Sequence, residues 1–225
     1  MALGWSVRGF AGGPFSGDWW GAVVRLQLPL LRFCFVVLLA AGLWGCQQDD
    51  APRPAAFHGI DVTGASYAKD WSMPDANGQI RSLADFAGNA VYVFFGFAQC
   101  PDVCPTTMLE MAEVKRQLDS DAGRFQVVFV TVDPERDTPD VMRAYLSSFD
   151  EQAVALIGSA EQLAQMAKDF KVIYQKVPSD RGGYTMNHTA AGFLYDPQGR
   201  LRLYMRYGTP VSDVLADVQQ LLAGQ

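Results

Sequence analysis

The chain has 225 residues with 49% hydrophobic residues, four cysteines, two histidines and a formal net charge of −6. That length gives one domain, or two small ones, with enough chain to bury a core. The acidic balance and the lack of any basic stripe exclude nucleic-acid binding.

Residues 33–44, FCFVVLLAAGLW, form an apolar run preceded by Arg25 and Arg32 and followed by Gly45 and Cys46. Twelve residues match a signal-peptide core and fall short of the roughly 18 to 20 that span a bilayer. Leu43-Trp44-Gly45-Cys46 resembles a bacterial lipobox with Cys46 as the lipidated residue, although Trp44 is larger than that motif expects. An uncleaved anchor reaching back through Leu26–Leu31, or a plain cleaved signal, are the other readings. All three place the domain outside the cytoplasm, and the expected location is the periplasmic side of a bacterial membrane, anchored to it through lipid or leader. Residues 1–22 match no part of a signal peptide, which points to a start codon assigned too early.

The expected organisation is therefore a leader (1–45), a tether (46–58) and one folded domain (59–225). Residues 1–45 hold three arginines and one aspartate, so the remaining chain carries 15 basic and 23 acidic residues, a net of −8. Residues 47–56, QQDDAPRPAA, read as a short flexible tether.

Within the domain, WSMPDANGQIRSL (71–83) predicts a hairpin turning at Asn77-Gly78. AVYVFFGF (90–97) is a continuous apolar run of the kind that a strand buried on both faces requires. Met108, Met111, Ala112, Val114 and Leu118 follow helical spacing, with Lys115 and Arg116 suiting the negative C-terminal end of the helix dipole. FQVVFVTVD (125–133) predicts a second buried strand, parallel to the first through a right-handed crossover. Helices over 139–149 and 160–170 come next, the first capped by Asp137 or Thr138 with Pro139 at its first position. A strand near 172–177, a hairpin of AAGFLYD and RLRLYMRYG, and a closing helix over 211–222 complete the domain. A parallel half followed by an antiparallel hairpin and a helix is the order of a thioredoxin-like α/β fold: a central mixed sheet flanked by helices, with an N-terminal hairpin and an inserted helix.

Cys34 lies inside the apolar run of the leader and Cys46 is the expected lipid site, which leaves Cys100 and Cys104 as the thiols of the folded domain. Both precede prolines, and a residue before proline is pushed out of the helical region. Cys104 is therefore expected at or just before a helix start, with Pro105 at its first position. The positive end of a helix favours thiolate, the form that binds metal or attacks a disulfide. A structural disulfide across four residues closes a small loop and removes little chain entropy. Two inert packed thiols are poorly compatible with export.

The spacing is CxxxC rather than the CxxC of thioredoxin-type oxidoreductases, and the facing region YTMNHTA holds a histidine and no proline. Two thiolates and the imidazole of His188 make a soft three-ligand set that suits Cu(I) and can hold Cu(II). Structural zinc normally takes four protein ligands. His58, at the end of the tether, is the other possible imidazole, and Met186 an auxiliary soft ligand. Asp133, at the end of the second strand, is open to two readings: turn chemistry, or support of the site and docking of a partner. A thiol–disulfide oxidoreductase using Cys100 and Cys104 remains an alternative.

FFGFAQCPDVCP, VDPERDTP and NHTAAGFLYDPQGR together resemble the SCO/SenC copper chaperones, and the likeness runs from about Gly59 to Leu222. The resemblance implies one copper ion per chain, Cu(I) or Cu(II), held by Cys100, Cys104 and His188, with Asp133 near the metal. It implies delivery of copper to the binuclear centre in the copper-bearing subunit of cytochrome c oxidase by thiolate exchange. An upstream copper donor and a thiol reductant are implied as further partners. Reduction of the oxidase cysteines, or copper and redox sensing, are the alternative roles. Asn187 stands where the family commonly has Asp, and Phe97-Ala98 where it commonly has Tyr-Thr.

Overall fold

In the computed structural model, residues 56–180 and 182–225 are described. The leader, Cys46 and nearly all of the tether lie outside them. No helix among the described residues is long and apolar enough to cross a membrane.

The strands are β1 (Ile60–Asp61), β2 (Ser72–Pro74), β3 (Ile80–Ser82), β4 (Ala90–Gly96), β5 (Phe125–Thr131), β6 (Val154–Leu156), β7 (Tyr174–Pro178), β8 (Tyr184–His188), β9 (Ala191–Tyr195) and β10 (Leu201–Arg206). The helices are α1 (Val103–Gln117), α2 (Pro139–Ser147), α3 (Ala160–Phe170) and α4 (Val211–Leu222). Six strands form one mixed sheet in the order β1-β10-β9-β4-β5-β6, while β2-β3 and β7-β8 are separate antiparallel pairs. β4 runs parallel to β5 and antiparallel to β9. The expected thioredoxin-like arrangement is present, with β6 and β1 extending the sheet at its two edges.

Each residue of β4 is buried because both faces of the sheet are covered. Phe94 meets Phe129, whose ring in turn meets Tyr145 of α2, while Phe95 packs edge-on against Phe170 of α3 and against Phe193. That two-sided burial is what the unbroken apolar run encodes. Gly192 has a reason of its own: a Cβ there would lie 2.1 Å from Cζ of Tyr92, so the tyrosine ring occupies the space a side chain would need.

Local signals set the helix starts. Thr138 caps α2 by accepting from the Val141 N–H, with Pro139 next to it. Asp137 is not the cap; it points inward. Ser159 and Gln162 form a reciprocal capping box at α3. α1 begins at Val103, two residues before the expected start, so Cys104 lies inside its first turn. Pro105 is tolerated because N–H groups of a first turn have no partner within the helix.

Two further departures concern pairing. YTMNHTA was expected as a loop facing the cysteines, but Tyr184–His188 forms a strand paired with β7 in register, Tyr174 opposite His188. The N-terminal segment is pinned by Asp217 of α4, whose wholly buried carboxylate accepts from the N–H groups of His58 and Gly59 at 2.9 and 2.8 Å.

Candidate metal centre

The chain leaves β4 at Gly96, turns through residues 97–102 and enters α1. A Cβ on Gly96 would come within 2.9 Å of the Cys104 Sγ and 2.7 Å of the Phe129 ring, so the buried thiol sits directly against the backbone where the strand ends. The turn brings the Cys100 Sγ to 3.4 Å from the Cys104 N–H, which donates to it. Both cysteines are free thiols, Cys104 buried and Cys100 half-buried.

His188 arrives from the other side, at the end of β8. Its Nε2 lies 3.7 Å from the Cys104 Sγ and its Nδ1 3.0 Å from the Thr189 carbonyl oxygen. A carbonyl oxygen only accepts, so Nδ1 carries the hydrogen and the Nε2 lone pair faces the sulfur. Phe97 and Phe94 meet the imidazole edge-on at centroid distances of 5.8 and 6.2 Å, which fixes the ring plane. The donor atoms of Cys100, Cys104 and His188 all lie within 4.8 Å of one another. That spacing is close to twice a metal–ligand bond of roughly 2.0 to 2.3 Å, so these soft donors fit one thiophilic ion.

The two sulfurs are electrostatically unequal. The Cys104 thiol bonds to Cys100, the backbone N–H groups of Asp102 and Cys104 also bond to it, and together they outweigh burial and bring the Cys100 pKa down to about 4. The same bond, with the thiolate beside it and burial, pushes Cys104 up. The metal-free pair is thus one thiolate and one thiol at neutral pH. A soft cation binding both would displace the Cys104 proton.

Asp133 is buried, and its carboxylate is held by two other side chains. Its Oδ1 accepts from the Tyr184 hydroxyl at 2.8 Å and its Oδ2 from Arg136 Nε at 2.5 Å. Arg136 also donates through Nη1 to Gln99 Oε1 and to the Tyr184 carbonyl, and its guanidinium lies 3.8 Å over the Tyr184 ring. Asp137, wholly buried, accepts from the Ala98 N–H and from Thr131 Oγ1 at 2.6 Å. Burial raises its pKa despite those bonds. The loop after β5 therefore touches both halves of the site: the cysteine turn through Asp137 and Arg136, the histidine strand through Asp133 and Arg136.

Sequence reasoning missed three of these groups. Asp137 was read only as a cap, and Arg136 and Tyr184 were not singled out. The i, i+3 spacing of Asp133 and Arg136 was a signal for one pair; nothing local pointed to Tyr184. The other candidates fall elsewhere, His58 beside Asp213 and Met186 in the hydrophobic core.

A groove of about 660 Å³ runs beside the cysteine turn, lined among others by Phe97, Gln99, Pro101, Arg136 and Tyr184.

Comparison with known proteins identifies relatives of this arrangement. The profile of the SCO1/SenC family matches residues 61–223. The mitochondrial SCO2 homolog of Bos taurus is 36% identical over 157 residues, covering 68% of this chain and 59% of that protein. The human protein is 34% identical over the same length, again with 59% of it covered, so the chain spans less than two thirds of these relatives. Among solved structures, Bradyrhizobium japonicum ScoI with copper bound is 37% identical, with a TM-score of 0.62, 68% of this chain and 97% of that one covered. Apo Sco1 from Thermus thermophilus is 36% identical, with a TM-score of 0.66 and 74% and 97% covered. The profile spans the cysteine turn, the loop after β5 and the histidine strand alike, and on that match the chain belongs to the SCO1/SenC family.

Proposed function

We propose that this protein is a copper-binding assembly factor that holds one copper ion through Cys100, Cys104 and His188 and hands it to the copper-bearing subunit of cytochrome c oxidase. The observation that carries the reading is the convergence of two thiols and one oriented imidazole nitrogen, from segments 84 residues apart, on a single point at the protein surface. The copper-bound ScoI relative supports the choice of metal. A three-donor site leaves room for an incoming thiolate, so transfer proceeds by replacing one donor at a time without a free ion.

The site needs its cysteines reduced, so an external thiol reductant and an upstream copper donor complete the scheme. Lipid on Cys46, or the leader over 1–45 retained as an anchor, tethers the domain of residues 59–225 through 46–58 to the periplasmic face of a bacterial membrane. Asp133 supports the site through Arg136 and Tyr184.

A second reading has its own observation. A Cys100 thiolate beside a protonated Cys104 is the state from which a dithiol reduces a disulfide: Cys100 attacks and expels one target thiolate to form a mixed disulfide, and Cys104 then gives up its proton and attacks Cys100, forming the Cys100–Cys104 disulfide and releasing the second target thiol. His188→Ala separates the two. Copper transfer predicts that the reduced wild-type chain binds one equivalent of copper, that the variant loses most of that affinity, and that oxidase assembly fails while the dithiol still cycles. An unimpaired oxidase in the His188→Ala strain would favour the reductase.

A further inference from the structure

The strand that carries His188 is not part of the main sheet. β7 and β8 pair only with each other, and an isolated two-stranded hairpin is marginally stable in water. Its inner anchor is Met186, buried in the core, while the outer residues Gln175 and Lys176 are exposed. The far end turns through Gly182 and Gly183, both with positive φ. What joins the hairpin to the cysteine side by polar contacts is a small set of side chains on the loop after β5. Arg136 bonds Gln99, next to Cys100, and the carbonyl of Tyr184, four residues before His188. The Tyr184 hydroxyl and Arg136 Nε close on the two oxygens of Asp133. The Tyr184 ring lies between two cations, Arg136 at 3.8 Å and Lys176 at 4.7 Å, and Lys176 bonds Glu135 at 2.5 Å.

We propose that Arg136 and Tyr184 form a clasp, closed on Asp133, that holds the His188 hairpin against the cysteine turn and sets how readily the imidazole leaves the two thiols. The inference deepens the copper-binding reading and rests on it for the metal. The physical argument is one of position. His188 is attached to the protein through a two-stranded arm, and the clasp is a polar crosslink between that arm and the turn holding Cys100. Planarity suits Arg136 to the bridge, since one guanidinium serves Asp133, Gln99 and the Tyr184 carbonyl while stacking on the ring. A lysine offers a point charge and no such fork. With the clasp closed, the imidazole is held to the sulfurs; with it open, the arm can carry the imidazole away and the site falls to two donors. Arg136 and Tyr184 act as positioning residues, without touching the ion.

The test uses the full chain with Tyr184→Phe, which removes the hydroxyl and keeps the ring, and Arg136→Lys, which keeps the charge and loses the fork. The first readout needs no metal: amide hydrogen exchange of β7 and β8 against that of β4 and β5. Losing a hydrogen bond to a buried carboxylate is expected to speed exchange at residues 184–188 by roughly tenfold or more, with the central strands unchanged. The second is the rate at which an excess of a Cu(I) chelator strips the copper-loaded chain, expected to rise by a similar factor. The two substitutions together should give less than the product of their separate effects, because they open one clasp. Unchanged exchange in β8, a rise spread equally over β4 and β5, or faster β8 exchange with an unaltered copper release rate would each overturn the clasp. If the wild-type chain takes up no copper, the copper reading fails, and the clasp stands or falls on the exchange result alone.

Discussion

At the scale of single residues, the site works through inequality between two sulfurs four positions apart. Cys100, with its pKa near 4, is thiolate through the physiological range, whereas Cys104 keeps its proton. Thiolate is the reactive form, so alkylation of the reduced, metal-free chain by iodoacetamide should rise with pH to half its plateau near pH 4, at one cysteine. Peptide mapping should find Cys100 modified and Cys104 protected; a single transition near pH 8.5, the value of an unperturbed thiol, would show that the bond between them is absent. Gly96 makes a second test. A methyl group there overlaps the Cys104 Sγ and the Phe129 ring. Gly96→Ala should lower stability by about 1 to 3 kcal/mol by overpacking, and it should weaken metal binding because the displaced atom is a donor. Cys100, Cys104 and His188 were legible in the sequence because cysteine, histidine and proline carry chemistry or fixed geometry wherever they occur. Arg136 and Tyr184 were not, because an arginine or a tyrosine becomes special only through the partner that the fold brings to it, and these partners lie up to 51 residues away.

At the scale of elements, legibility followed length and cap chemistry. α3 and α4 were read correctly to the residue, β4 and β5 to within two residues, since a long apolar run or a helical period leaves few alternatives. β1 and β6, of two and three residues, are too short to show a period, and they owe their existence to the edges of the sheet they join. β8 was misread because its residues alternate poorly, and its pairing with β7 supplies what its composition lacks. Asp217 gives an element-scale test. Its buried carboxylate binds two backbone N–H groups where the domain begins. Asp217→Ala should cost about 2 to 3 kcal/mol, each bond to a charged group being worth roughly 1.5 to 3 and part of the loss being recovered by water. A urea titration reads this as a lower midpoint at unchanged slope, accompanied by earlier protease cleavage near residues 56–62.

For the whole molecule, one buried carboxylate ties stability to pH in an unusual direction. Burial raises the pKa of Asp137. The unfolded chain therefore releases this proton first as pH rises, the folded state binds more protons, and stability falls with increasing pH from about 4 upward. Carboxylates with lowered pKa, such as Asp61, act in the opposite sense. Asp137→Asn keeps an acceptor for the Ala98 N–H, replaces the oxygen that accepts from Thr131 with an amide that can donate to the threonine oxygen, and does not titrate, so its stability relative to wild type should improve steadily over that window. Urea midpoints of both proteins at a series of pH values would check it, and parallel curves would contradict it. The segment separation of the donor set has a consequence for the life of the chain. The cysteine turn and the histidine strand meet only after β4, β5 and β8 are in place, so an unfolded chain lacks the assembled three-donor site. The three-donor set then belongs to the native state, and a metal at about 100 times its dissociation constant adds up to roughly 2.7 kcal/mol to folding, less whatever the Cys100–Cys104 pair binds in the unfolded chain. Under the proposed function, release of the metal is consequently also a loss of fold stability, and the metal-free chain is the form that heat and proteases should remove first.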